Sequence, residues 1–165
     1  MVRIDKVETS EKLSEIAVLA DEIWHEFFPV ILSDSQIDYM VEKFQSYDAM
    51  KEQTESQGYS YFAVNEDDVL CGYIAVKPEK DNRLFLSKLY LKRDMRGKGI
   101  ASEMFRRVFC EAEKAGKTSV YLTVNKYNDH AVSVYRKKGF EIIDSVVTDI
   151  GNGFVMDDYI MEDKL

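Results

Sequence analysis

The feature that most constrains this chain is a six-residue turn, Arg96-Gly97-Lys98-Gly99-Ile100-Ala101, set between a strand-like run and a helix-like run. Before it, Leu84–Lys92 is apolar enough for a central strand. After it, Ile100, Met104, Phe105, Val108, Phe109 and Ala112 recur at helical spacing as far as Gly116. A helix that starts directly after a strand offers unpaired N–H groups and the positive end of its dipole, and anions bind there. Gly97 and Gly99 lack Cβ, so the backbone can bend tightly and approach a phosphate closely, and Ala101 is small. Arg96 and Lys98 add positive charge. Other nucleotide turns fit worse. There is no GxxxxGK[ST], and Ser102 stands where GxGxxG needs its third glycine. Taken alone, the turn is equally compatible with a purely structural loop.

Periodicity organises the remainder. Val2–Val7 alternates as a short strand, and Ser10 opens a helix to about Phe28 with Pro29 at its end. Ser33 and Gln36 have capping-box spacing before a second helix carrying Ile37, Met40, Val41 and Phe44. A third runs from Tyr47 to Gln57 and stops at Gly58. Tyr59–Asn65 and Leu70–Lys77 read as a hairpin about Glu66-Asp67-Asp68. Ser119–Asn125 is a strand, Asn128 caps a helix ending at Gly139, and Phe140–Thr148 with Phe154–Met161 forms a closing antiparallel pair. Leu84–Asn125 is therefore a βαβ crossover inside an otherwise antiparallel arrangement. The expected fold is α/β with a mixed central sheet flanked by helices, in one domain spanning 1–165.

Composition narrows the function. A formal net charge of −8 argues against a general nucleic-acid binder; its plain reading is solubility, and steering of a cationic substrate is the alternative. No apolar run is long enough to span a bilayer, and the first residues lack a signal-peptide core, so a cytoplasmic location is expected. His25 and His130 lie far apart without a third ligand, and no metal site is expected. Cys71 and Cys110 read as buried free thiols.

With these elements in place, RGKGIA resembles the R/Q-x-x-G-x-G/A signature of the GNAT (GCN5-related) N-acetyltransferases, with Arg96, Gly99 and Ala101 at the defining positions. The flanking KLYLKRDM and SEMFRRVF are similar to that family's fourth strand and third helix. The resemblance implies the GNAT acyl-CoA fold, acetyl-CoA as the acyl donor, and direct attack of an amine on its thioester. It implies that backbone amides from Met95 through Ala101, with Ser102 beside them, hold the CoA pyrophosphate. Leu89, Tyr90 and Leu91 would run along the pantetheine, where the strand is usually bulged, and the Leu89 N–H would polarise the thioester carbonyl. Asn125 and Asn128 would meet the pantetheine arm, and Tyr135 would lie near the sulfur.

The chemistry suits a phenol there, because expulsion of a thiolate calls for a proton and a phenol with a pKa of about 10 carries one at neutral pH. Plain readings of the same residues are an N-cap for Asn128 and core packing for Tyr135. A base is harder to find. Many family members carry an acid in the fourth strand, but FLSKLYL offers only Ser87 and Lys88. Ordered water, Glu26 or Asp34 remain as alternatives. For the acceptor, Trp24, Phe28 and Tyr39 would form aromatic walls, and Glu26, Asp34 and Asp158 would meet a cation. The segments IWHEFFPVILSDSQIDYM and DDYIM resemble bacterial polyamine (spermidine/spermine) acetyltransferases, which implies a small cationic amine as acceptor. A catalytically silent acyl-CoA-binding regulator and a protein N-terminal or lysine acetyltransferase are the competing readings. The family allows a monomer or a homodimer.

Overall fold

A computed structural model describes residues 1–165. The elements run β1 (Val2–Lys6), α1 (Ser10–Phe27), α2 (Asp34–Met40), α3 (Tyr47–Ser56), β2 (Ser60–Glu66), β3 (Val69–Pro78), β4 (Arg83–Leu91), α4 (Ile100–Lys114), β5 (Ser119–Asn125), α5 (Asp129–Lys137), β6 (Glu141–Gly151) and β7 (Phe154–Lys164). The order matches the periodicity reading throughout. Side-chain caps explain the starts of the first three helices. Thr9, Ser33 and Ser46 accept from the amides of Lys12, Gln36 and Ala49. The capping box at Ser33 closes on one side only, because the Gln36 side chain instead donates to the Val155 carbonyl and ties α2 to β7.

Three expectations need correction. The second helix does not stay α-helical to Phe44; after Met40 it widens into a π-type turn over Val41–Gln45. The closing strands run further at their C-terminal ends than expected, β6 to Gly151 and β7 to Lys164, while β6 begins one residue later, at Glu141. Cys71 is buried, but Cys110 lies on the exposed side of α4.

All seven strands form one mixed sheet in the order β1-β2-β3-β4-β5-β7-β6, and only β4 and β5 pair in parallel. That parallel ladder is short. It joins Arg83, Leu84 and Phe85 to Ser119, Val120 and Tyr121 and then stops, so the rest of β4 leaves β5 and the sheet opens. From there β5 keeps its full pairing with β7, down to Asn125 opposite Asp158.

A bulge in β4 decides which side chains face which layer. Ala75 pairs with Lys88 and Val76 with Leu86, so Ser87 is the extra residue. Leu84, Leu86 and Leu91, with Leu89 against them, pack toward α4, in a cluster with Ile100, Met104, Phe105 and Val108. Because Ser87 shifts the alternation by one, Lys88 and Tyr90 point the other way, toward α1 and α3. On that face Ile16, Ile23, Met50, Tyr61 and Tyr73 form a second core. A third cluster, smaller and at the open end, joins Trp24, Phe28, Ile37, Met40 and Ile150.

Candidate functional site

The opening between β4 and β5 is framed by the glycine turn on one side and by α5 on the other. After β4 the chain makes a 3₁₀ turn at Arg93–Met95, passes Gly97 at φ +77° and Gly99 at φ +79°, and enters α4 at Ile100. Both glycines occupy left-handed backbone, which other residues adopt only with strain. A Cβ at either would meet nothing within 4 Å, so the requirement seen here is conformational rather than steric. The amide donors begin later than the motif implied. Met95 and Arg96 give their N–H groups to Lys92 and Arg93 within the 3₁₀ turn. The first amide of α4 to reach back is that of Glu103, to Gly99. The amides from Gly97 to Ser102 are thus the ones turned outward at the helix start. The Arg96 guanidinium lies 3.8 Å from the centre of the Phe27 ring, a cation–π contact joining the turn to α1.

Lys138 is a neighbour that sequence reasoning missed. Its ammonium donates to Ser102 Oγ at 2.7 Å and lies over the Phe105 ring, bringing a cation to the start of α4 from the end of α5. No local pattern announces it, because the two residues meet only through packing.

On α5, the Oδ1 of Asn128 accepts from the Ala131 amide and caps the helix. The Oδ1 of Asn125 accepts from Tyr127. Both asparagines therefore hold local turns through their oxygens, and their NH₂ groups are the parts left for a ligand. Tyr135 packs edge-on against Phe105 and Phe140, ring centres 5.9 Å apart in each case. Burial pushes its phenol up to about 12, so it carries its proton across the physiological range.

The residues expected to face an acceptor divide into two groups. Trp24 and Phe28 are buried with ring centres 4.3 Å apart, and Tyr90 stands 5.8 Å from Trp24. The Trp24 indole N–H is buried without a hydrogen-bond partner. Tyr39 packs on Phe154, and its hydroxyl donates to the carbonyl of Ile150, the extra residue of a bulge in β6. Glu26 does not join them, because it pairs with Arg93 beside the glycine turn. Asp34 is exposed in the first turn of α2, where it suits the helix dipole. Asp38 is bonded to His25, whose pKa that contact and the Asp21 carbonyl raise. Asp158 alone among the expected acids is buried, at 5% exposure. Desolvation first and the neighbouring Asp157 next push its carboxyl up to about 6, against a smaller opposing pull from Lys126.

The sequence marks Lys88 only as a departure from an expected carboxylate, and the fold buries it at 4% exposure. Its ammonium donates to the Phe44 carbonyl, Gln53 Oε1 and Tyr61 Oη. Desolvation lowers its pKa to about 7. No group of three or more His, Cys, Asp or Glu side chains is placed to hold a metal, and no helix is long and apolar enough to cross a membrane.

Comparison with known proteins finds relatives in sequence and in fold. Residues 18–140 match the model of the acetyltransferase (GNAT) family. An uncharacterized N-acetyltransferase of Mycobacterium tuberculosis is 36% identical over 76 residues, 46% of this chain and 49% of that protein. The probable N-acetyltransferase san of Drosophila melanogaster is 32% identical over 83 residues, 48% of this chain and 45% of that protein. The chain thus spans about half the length of the curated relatives it matches. Among solved structures, the PaiA N-acetyltransferase from Thermoplasma acidophilum, in complex with coenzyme A, superposes with a TM-score of 0.83 at 25% identity, over 100% of this chain and 99% of that one. A Bacillus subtilis acetyltransferase, also in complex with CoA, shares the fold at a TM-score of 0.63 and 18% identity, over 100% of this chain and 99% of that one.

Proposed function

Because the chain belongs to the acetyltransferase (GNAT) family, we propose that it transfers the acetyl group of acetyl-CoA to a small cationic amine, with polyamines the favoured class. The observation that carries the reading is the β4–β5 opening, with the unpaired amides of Gly97–Ser102 following β4 and the helix that bears Tyr135 following β5.

The residues present fit the donor. Left-handed glycines lead into the unpaired amides at the start of a 15-residue helix, which suits a pyrophosphate. Arg96, Lys98 and Lys138 supply the surrounding positive charge. The β4 backbone from Leu89 to Leu91, beyond the end of the parallel ladder, offers amide groups to the pantetheine. The Leu89 N–H is the donor for the thioester oxygen. Asn125 and Asn128 retain their NH₂ groups for the same arm. Acetyl-CoA supplies an activated acyl carbon and a thiolate leaving group. Tyr135 holds a proton at neutral pH and gives it to the departing sulfur.

On the acceptor side, Trp24, Phe28 and Tyr90 form an aromatic wall, and the buried carboxyl of Asp158 supplies negative charge. That combination suits an alkylammonium group better than a neutral or anionic one. Incubation of the protein with acetyl-CoA and a mixed pool of polyamines, amino acids and peptides, with products read by mass spectrometry, tests both levels. Acetylated polyamines are expected. Their absence alongside other acetylated amines overturns the substrate class and leaves the donor intact. Tyr135→Phe is expected to lower thiol release about 100-fold with CoA affinity unchanged. Unchanged turnover removes the proton-donor role.

The lack of a carboxylate on β4 favours one second reading, a silent acyl-CoA-binding regulator. Tight CoA binding with no turnover on any amine is its signature.

A further inference from the structure

We propose that Asp158 takes the proton from the acceptor nitrogen, supplying from β7 the base that β4 does not carry. The assignment rests on the amine-acetylation reading above and adds to it a named residue and a direction of proton flow.

Elimination does part of the work. On β4, Lys88 points toward α3 and is held there by three acceptors. Among the acids near α1 and α2, Glu26 pairs with Arg93, Asp38 with His25, and Asp34 is exposed. On β7, Asp157 pairs with Lys126 at 2.9 Å.

Position does the rest. Asp158 sits opposite Asn125, the last residue of β5, at the end of the sheet where β4 has already diverged. Strand alternation puts it on the same face of β7 as Phe154 and Met156, which pack against the Trp24 and Phe28 cluster. It therefore faces the acceptor layer. Tyr135 packs with Phe105 and Phe140 on the α4 side of the sheet. Burial first, and then the nearby Tyr135 and Asp158, raise the Tyr90 phenol of β4, so Tyr90 neighbours both groups. An amine entering from the α1–α2 side meets the carboxylate, while a sulfur leaving toward α5 meets the phenol. The ionisable groups that act on Asp158 are Asp157, next to it on its own strand, Lys126 after β5 and Tyr90 on β4. None is a cation bonded directly to its carboxylate, and its raised pKa of about 6 leaves it ionised at neutral pH and readier to take a proton than an ordinary aspartate.

The proton count closes. The ammonium gives one proton to the Asp158 carboxylate, which passes it to solvent, and the freed lone pair forms the C–N bond. As the C–S bond breaks, its electron pair stays on sulfur and takes the Tyr135 proton. The second proton shed by nitrogen returns to the Tyr135 oxygen through water. The products are the amide, CoA thiol and one proton in solution.

The first test needs no turnover. Carboxyl-carbon NMR of the free protein, with Asp158 assigned by its loss in Asp158→Asn, is expected to show a midpoint near pH 6; a midpoint near pH 4 overturns the proposal. The second is kinetic. In Asp158→Asn, kcat/KM is expected to fall about 100-fold, with loss of the acidic limb of the pH profile, retained CoA affinity and partial rescue of the limb by Asp158→Glu. A raised amine KM with kcat and the limb intact makes Asp158 an anchor only and overturns the proposal. If the wild-type protein acetylates no amine, the acceptor reading fails on its own. Thiol release with water as acceptor then reads the base separately, and a limb that survives in Asp158→Asn still overturns it.

Discussion

Lys88 and Asp158 stand on the same face of one sheet, each almost closed off from water, yet their surroundings are opposite in kind. Lys88 sits in a nest of oxygens. Tyr61 and Gln53 bond each other, Gln53 bonds the Phe44 carbonyl, and the ammonium joins all of them. Asp158 has a like charge beside it, one more distant cation, and a tyrosine at the mouth of the sheet opening. A buried ionisable group whose neighbours already satisfy it is structural. One whose charge is left without a direct counter-ion, at the point where two strands part, is available for chemistry. The contrast shows that burial and a displaced pKa do not by themselves distinguish the two roles; the partners do.

The comparison breaks first on activity. Lys88→Met is expected to keep kcat/KM within about threefold, against the roughly 100-fold loss forecast for Tyr135→Phe. A loss of the larger size at Lys88, in a protein that still melts cooperatively, would move Lys88 into the reacting site.

Stability sharpens the same contrast. Lys88 has a lowered folded pKa, so burying its charged form costs stability fully below pH 7, and the cost fades as pH rises toward 10.5. The oxygens it leaves behind keep the donors Tyr61 and Gln53. Lys88→Met is therefore expected to stabilise the protein by about 1–4 kcal/mol at pH 6, and by progressively less toward pH 10, in denaturant titrations.

Asp158 is expected to show the mirror image on a smaller scale. Its folded pKa is raised, so its cost is absent below about pH 4, grows between 4 and 6, and is complete above 6. Asp158→Asn should melt about 2–4 °C higher than wild type at pH 7.5 and no higher at pH 3.5. A variant that melts lower at pH 7.5 would mean the carboxylate is satisfied after all.

The smallest effect belongs to the turn. Gly99→Ala, placed at φ +79° with open space around it, is expected to cost about 1 kcal/mol and to weaken CoA binding in calorimetry.

Much of this was readable from residues alone. The order of elements follows from apolar spacing, because each element buries one face and the period reveals it. The turn at Arg96–Ala101 and the helix start at Asn128 were legible for the same reason, since special backbone needs special residues. What escaped were consequences of register and packing. A lysine within FLSKLYL carries no sign of burial, because its partners come from α3, β2 and the π-type turn. Glu26 and Asp158 looked equivalent as acids near an aromatic stretch. Only the assembled fold shows one paired with Arg93 at the surface and the other enclosed. Lys138 reached Ser102 across a sequence separation of 36 that no window spans.

The extra residue at Ser87 carries an evolutionary implication. Because it has no partner on β3, β4 should keep its facing pattern on loss of that one residue and lose it on loss of two. Loss of one codon there would remove the bulge and leave Lys88 opposite Ala75, still facing α1 and α3, with Leu89 still toward α4. Loss of two would turn Leu89 toward the oxygen nest and Tyr90 among the leucines. Lineages that keep this architecture are thus expected to vary freely in residue type at position 87, and even to lack it, while Leu86 and Lys88 keep opposite faces.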